Sequence, residues 1–319
     1  MLERFRSDLD RLNPTGAKLG VAVSGGPDSL ALLLLASAAL PGRVEAATVD
    51  HGLRDGSADE AQFVASLCST LAVEHRALRA DWVEPPQTNI QSAARERRYA
   101  LLAQWAYERG IDRVATAHHA DDQAETVLMR LFRGSGVAGL AGIRPVRDLD
   151  SNVRLIRPLL GWRRSELAAI VDAAGLRAIA DPSNANERFD RTSVRRLLAS
   201  AEWIDPVRLA ATASHARDAD EALDWIASNE FRSRSEGAND CLMLDLAGLP
   251  RELKRRVLLA AITSRGVAEP SGPDLINAIE RLERAQTTTL AGLKLEPGPK
   301  WRLSIAKPRR SQAATAVRP

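Results

Sequence analysis

Ser24-Gly25-Gly26-Pro27-Asp28-Ser29 places small, polar and acidic side chains between two apolar runs, Leu19–Val23 before it and Leu30–Leu40 after it. A strand feeding a glycine turn that opens a helix exposes backbone N–H groups, which together with the helix dipole attract an anion such as phosphate. The glycines let the backbone approach that anion, and Asp28 or Ser29 can cap the helix. The run lacks the Gly-Lys-Ser/Thr of a Walker A loop, and it is not Gly-x-Gly-x-x-Gly. Alone it would equally be an ordinary strand-to-helix turn. The polar clusters further along the chain favour the anion site.

The second cluster is Thr116-Ala117-His118-His119-Ala120-Asp121-Asp122-Gln123-Ala124-Glu125-Thr126. A helix starting near Ala120 would put Asp122, Glu125 and Met129 on one face, with His119 just ahead. Carboxylates so placed can hold Mg²⁺ on a nucleotide, or bind a substrate amine and accept its proton. Asp121 reads as an acidic helix start that complements the dipole. The third cluster, Asp50-His51-Gly52-Leu53-Arg54, follows a predicted strand. An acidic group there can meet the sugar or base of a nucleotide, while His51 serves equally as a turn or capping residue. The fourth is Ala94-Arg95-Glu96-Arg97-Arg98-Tyr99, where Arg95 and Arg98 share a helix face suited to phosphate or simply to solvent. The fifth is Asp181-Pro182-Ser183-Asn184 followed by Arg188, Arg191, Arg195 and Arg196. Arg251, Lys254, Arg255 and Arg256 form a comparable basic group. Both fit a nucleic-acid backbone, or serve only to solubilise the chain.

The elements that must position these groups alternate up to about residue 135. Strands are predicted at Leu19–Val23, Val44–Val49, Val73–Leu78 and Arg113–Ala117. Helices are predicted at Ser29–Ala39, Ala58–Leu71, Ile90–Arg109 and Asp121–Phe132. This β-α repetition implies an α/β fold with a parallel, doubly wound sheet whose ligands lie at the C-terminal strand ends. The first three clusters all fall at such ends. Residues 134–160 read as irregular, followed by helices at Arg163–Ala174, Arg188–Ala199 and Pro206–Asn229. A polar boundary at Ser233–Asp240 precedes helices at Leu249–Ser264 and Pro273–Arg284. Thr288–Leu295 and Trp301–Ile305 read as a hairpin, and the basic tail after Lys307 as unstructured. The expected organisation is a nucleotide-binding domain over 1–200, a helical linker over 201–232 and a small α+β domain over 233–319.

The 319 residues suffice for one large and one small core. Only five of the 44 basic residues are lysine, and arginine is the better bidentate partner for phosphate. The longest apolar run is interrupted by Ser37 and too short to span a bilayer, and Met1–Asp10 has no apolar signal core. Cys68 and Cys241 form no Cys-x-x-Cys site, which points to a reducing, cytoplasmic setting.

Taken together, these segments resemble the bacterial tRNA(Ile)-lysidine synthetases of the ATP pyrophosphatase, or PP-loop, superfamily. Arg133-Gly134-Ser135-Gly136, Arg157-Pro158-Leu159-Leu160 and Asp181-Pro182-Ser183-Asn184 complete the series over roughly residues 15–200. One departure is Thr192, where the family usually has asparagine. The resemblance implies a PP-loop fold, with a C-terminal domain that binds tRNA. It also implies that ATP adenylates the carbonyl oxygen of the wobble cytidine in an isoleucine tRNA with a CAU anticodon. Free L-lysine would then attack through its ε-amine and release AMP. Ser24, Gly25, Gly26, Pro27, Asp28, Ser29 and Asp50 would bind ATP, and Asp28 and Asp122 would bind Mg²⁺. Asp28, His119, Asp122, Glu125 and Arg95 would carry the chemistry, while Arg188, Arg191, Arg195, Arg196 and Arg255 would grip the tRNA. Oligomeric state stays open, a homodimer included. A cytidine thiolase would need paired cysteines, and an amidating synthetase an ammonia source. A purely RNA-binding module would leave the loop and carboxylates unexplained.

Overall fold

A computed structural model describes residues 1–50, 57–80, 90–177, 189–201, 203–237 and 241–306. The first strand, β1 (Leu19–Ala22), is apolar at nearly every position because both of its faces are covered. Gly20 in that strand has a specific reason: a Cβ there would lie 2.9 Å from the Trp105 ring, so only glycine lets the covering helix sit this close. Helix α2 (Pro27–Ala39) follows, with Pro27 in its first turn and Leu30, Leu32, Leu33 and Leu35 buried around its circumference. It is preceded by α1 (Leu2–Asp10), an element with too sparse an apolar pattern to be predicted. Only Phe5 and Leu9 of α1 are buried. Phe5 meets the Trp162 ring edge-on at 6.5 Å, and the Trp162 indole N–H donates to Asp8 at 2.9 Å.

The chain continues through β2 (Val44–Asp50), α3 (Ser57–Thr70), β3 (Glu74–Arg79), α4 (Ile90–Glu108), β4 (Arg113–Ala115) and α5 (Ala120–Phe132). These bounds match the predicted alternation to within two residues. Residues 134–160, expected to be irregular, instead hold a short helix, α6 (Val137–Leu140), and two strands, β5 (Val146–Asp148) and β6 (Arg154–Ile156). Each strand has three residues, too few for a legible alternation.

The six strands are ordered β3-β2-β1-β4-β6-β5. All adjacent pairs are parallel except β5 with β6. From β1 the chain moves outward to β2 and β3 on one side, then returns to β4 on the other. The break between β1 and β4 is the topological switch point at which doubly wound sheets bind ligands. Helices α7 (Arg164–Ala173), which packs on α2, and α8 (Phe189–Ser200), which packs on α5, follow.

The long helix α9 (Pro206–Arg234) contains the division between two compact units, 1–217 and 218–319. The second unit adds β7 (Ser235–Glu236), β8 (Cys241–Leu244), α10 (Arg251–Thr263), α11 (Gly272–Glu283), β9 (Thr288–Leu290), β10 (Leu293–Glu296) and β11 (Trp301–Ile305). Its antiparallel sheet, β7-β8-β11-β10-β9, buries Leu244, Leu295 and Leu303 against Leu258 and Ile262 of α10 and Ile279 of α11. Lys294 and Arg302 point the other way. The predicted strand Thr288–Leu295 is in fact two strands, because the chain turns at Ala291 and Gly292, both with positive φ. That turn converts the expected hairpin into a three-strand meander.

Candidate active site

The loop after β1 is held by Ser29. Its hydroxyl accepts from the Ser24 N–H at 3.1 Å, lies 3.2 Å from Ser24 Oγ, and donates to the Gly26 carbonyl at 2.9 Å. Gly25 takes φ +81°, a conformation that costs other residues but not glycine. Neither Asp28 nor Ser29 caps α2; the N-cap is Gly26, with no side-chain cap hydrogen bond. Ser29 is occupied with folding the loop back, so the helix N-terminus stays available to a ligand. Asp28 stands beside it. One of its oxygens, Oδ1, is buried without a partner among the described residues, while Oδ2 lies 3.4 Å from His119 Nε2.

His119 joins this loop to α5. It is the N-cap of that helix: its Nδ1 lies 3.2 Å from the Asp121 nitrogen and 3.6 Å from Asp121 Oδ2, and its backbone N–H donates to Asp122 Oδ2 at 3.1 Å. His119 Nε2 lies 3.6 Å from Asp122 Oδ2. Burial alone would favour a neutral ring, but Asp121, Asp28 and Asp122 outweigh it and push the pKa up to about 10. Asp121 has a second task, accepting the Arg164 N–H at 2.9 Å. Burial opposes its charge, yet His119 and that backbone bond keep its carboxyl below the usual range. Glu125, one turn on, is buried and accepts from Arg195 Nε at 2.6 Å.

The neighbouring His118 meets the opposite environment. Its Nδ1 lies 3.1 Å from Thr116 Oγ1. Burial, then the positive charges of Arg157, Arg95, Arg98 and His119, drive its pKa down to about 3. Arg95, Arg98 and Arg147 surround the Tyr99 ring with guanidinium carbons 5.2, 5.4 and 5.2 Å from its centre. Burial opposes ionisation of the Tyr99 hydroxyl, but Arg95, Arg98 and Arg157 outweigh it and lower its pKa. Arg157 is itself buried and donates to the Arg144 carbonyl at 2.5 Å.

The structure therefore brings Ser24, Gly25, Gly26, Pro27, Asp28 and Ser29 together with His119, Asp122 and Glu125, and sets Arg95 beside His118 and Tyr99. Sequence reasoning missed Arg147 and Arg157, which come from β5 and the residue after β6. The Arg157-Pro158-Leu159-Leu160 run was a signal without a role. Asp50 ends β2, the strand next to β1, where it faces Arg79 across the β2–β3 pair. His51, Gly52, Leu53 and Arg54, the Asp181–Asn184 turn, Arg188, the Arg191 side chain and the tail from Lys307 lie outside the described residues.

Three expected basic contacts are placed differently from one another. Arg195 points at Glu125, Arg196 is exposed on α8, and Arg255 makes two bonds to Glu252 at 2.9 and 2.7 Å. The rest of the α10 group is paired too: Arg251 with Glu280, Lys254 with Glu283, and Arg256, 5 % exposed, with Asp220, Asp224 and Glu252. It is an ion-pair network within that unit, with its positive charge largely balanced locally.

Among the described residues no three His, Cys, Asp or Glu side chains gather into a metal cage. A nucleotide-bound Mg²⁺ does not need one, since one or two carboxylates and the phosphates suffice. Asp28, with its unpartnered buried oxygen, fits that donor set. Cys68 is buried in the first unit's core, where burial pushes its thiol up to about 11. No helix among the described residues is long and apolar enough to cross a membrane.

Residues 1–202 match the family described as a PP-loop domain. The chain is 45 % identical to a tRNA(Ile)-lysidine synthase of Zymomonas mobilis, over 93 % of this chain and 91 % of that protein. It is 44 % identical to one of Novosphingobium aromaticivorans, over 97 % and 94 %. Among solved structures, the U34-tRNA thiolase NcsA from Methanococcus maripaludis has a similar fold, with a TM-score of 0.56 and 20 % identity over 65 % of this chain and 73 % of that one.

Proposed function

The chain belongs to the tRNA(Ile)-lysidine synthase family of PP-loop proteins, and on that premise we propose that its crevice ligates lysine to the wobble cytidine of the CAU-anticodon isoleucine tRNA. The cytosine carbonyl oxygen attacks the α-phosphorus of ATP and pyrophosphate leaves. The lysine ε-amine, having lost a proton, then attacks the activated ring carbon. AMP departs with the oxygen, and lysidine remains. The modified base pairs with A instead of G, so the tRNA reads AUA rather than AUG.

The observation that carries this reading is His119, which lies within 3.6 Å of both Asp28, at the phosphate loop, and Asp122, on α5. One side chain couples the nucleotide cradle to the carboxylates. Ser24, Gly25, Gly26, Pro27 and Ser29 shape the cradle whose open helix terminus receives the phosphates. Asp28 and Asp122 would hold Mg²⁺, which would screen phosphate charge. Asp122 and Glu125 bind the lysine ammonium and take its proton. Arg195 aims Glu125 through its 2.6 Å bond. Arg95, with Arg98, Arg147 and Arg157, offsets the negative charge that grows as pyrophosphate leaves. Asp50 lies at the C-terminal end of β2, where a ribose or base would rest. Arg188, Arg191 and Arg196 meet the RNA backbone, and Arg195 and Arg255 do so only if the RNA competes with Glu125 and Glu252.

The test is incubation with ATP, labelled lysine and unmodified tRNA carrying a CAU anticodon. Lysine in the tRNA, AMP and pyrophosphate should appear in equal amounts. Absence of lysine from the tRNA would overturn the reading.

A further inference from the structure

The α5 stripe that begins with Asp122 and Glu125 continues through Met129 and Phe132 at the same three-to-four-residue spacing. Within two turns it changes from acidic to apolar. Helix α8 packs against this face and contributes Val194 and Leu197 beside Arg195. Between the two helices lies a cleft of about 470 Å³, lined by Met129, Phe132, Arg133, Ser193, Val194 and Leu197. Phe132 is 64 % exposed and Leu197 36 %. An aromatic ring held in water over an apolar floor is a feature that ordinarily has a partner.

Resting on the lysidine synthase reading, we propose that this cleft seats a nucleobase flanking the target cytidine. Three observations favour a base as the occupant. Met129 and Val194 of its lining stand one turn from Glu125 and next to Arg195 in sequence, and Phe132 stands seven residues, about 10 Å, beyond Glu125 on the same helix. Among the described residues no acidic side chain lines it, and the exposed Arg196 on α8 supplies positive charge for an adjoining phosphate. Chemistry on a cytosine also requires that it leave its stack, which strips a stacking partner from each neighbour. An exposed aromatic ring replaces that partner without regard to base identity. The Arg133-Gly134-Ser135-Gly136 turn, to which no step above assigns a role, ends α5 at Gly134 (φ +69°) and leaves Phe132 and Arg133 at the cleft.

The experiment uses the full chain, the tRNA, and two RNAs made abasic at the nucleotide before or after the target cytidine. Because Phe132 is mostly exposed, Phe132→Ala leaves the fold intact. It should raise KM for tRNA about tenfold, leave KM for ATP and lysine unchanged, and be rescued by Phe132→Trp. One abasic RNA should cost the wild type the same factor and Phe132→Ala nothing more. An unchanged tRNA KM, or equal losses on intact and abasic RNA, would overturn the proposal. So would a loss that tracks a change of oligomeric mass in sedimentation, because the face would then be a contact between copies. If the wild type inserts no lysine at all, the functional reading fails rather than this inference alone.

Discussion

Two adjacent histidines mark two walls of one crevice. His119 sits among Asp28, Asp121 and Asp122 and is held cationic; His118, one residue earlier, faces Arg95, Arg98 and Arg157 and is held neutral. The backbone turn between them sends consecutive side chains into opposite fields. On the proposed function the arginines would draw the departing pyrophosphate and the carboxylates an ammonium, while the phosphates of bound ATP would rest in the cradle beside Asp28. The division also separates groups that would neutralise one another if mixed.

The sharpest way to break this division is at the acidic wall. Asp122→Asn and Glu125→Gln should each lower lysine incorporation by about 10²–10³-fold, with most of the loss in the lysine-dependent step. Pyrophosphate exchange into ATP in the presence of tRNA should survive better in Glu125→Gln than in Asp122→Asn. Lysine incorporation near wild type in Asp122→Ala would remove the acidic wall from the mechanism. A smaller effect is expected across the crevice, where Arg95→Ala or Arg98→Ala should raise KM for ATP about tenfold, as loss of a charge-assisted bond does. KM for lysine should stay within twofold (roughly) if the walls are independent.

The histidine pair supplies a pH test. His118 has its pKa lowered to about 3 in the fold, whereas an unfolded histidine titrates near 6.5. The unfolded chain therefore binds the extra proton first. Stability should be full above about pH 6.5 and decline as pH falls towards 3, by at most ~1.4 kcal/mol per unit for this group. Denaturation midpoints at pH 7 and pH 4.5 should differ more for the wild type than for His118→Gln. Equal differences would mean that the arginine wall does not act on His118.

The smallest expected effects separate exposed from paired arginines. Arg196→Ala should weaken tRNA binding a few-fold and reduce the salt dependence of binding by about one ion. Arg255→Ala, whose charge is spent on Glu252, should change tRNA binding less and stability by about 1 kcal/mol or below. A larger effect from Arg255 would show that RNA displaces Glu252.

The alternation of β1 through α5 was legible because each element is long enough to display its period. The phosphate loop and the Asp122/Glu125 spacing were legible because both are local, each contained within about two turns of chain. The arginine wall was only half legible. Arg95 and Arg98 lie one turn apart on α4, but Arg147 and Arg157 reach the same tyrosine from strands of three residues that leave no periodic signal. The α10 group shows the converse. Four basic residues in six looked like a nucleic-acid patch; Arg255 pairs with Glu252 on the same helix, but the partners of the other three on α9 and α11 are up to 36 residues away in sequence.

Residue types and short spacings were enough to identify the fold class and the family, and to single out the glycine turn after β1 and the start of α5 as candidate sites. Tertiary structure alone decided which charges are available and which are consumed. It joined the loop to α5 through His119, turned Arg195 onto Glu125, and closed the arginine ring around Tyr99. The physical reason is that the free energy of a charge depends on its burial and on neighbours within a few ångströms. Sequence distance does not encode those neighbours once the chain has crossed from one strand of the sheet to another.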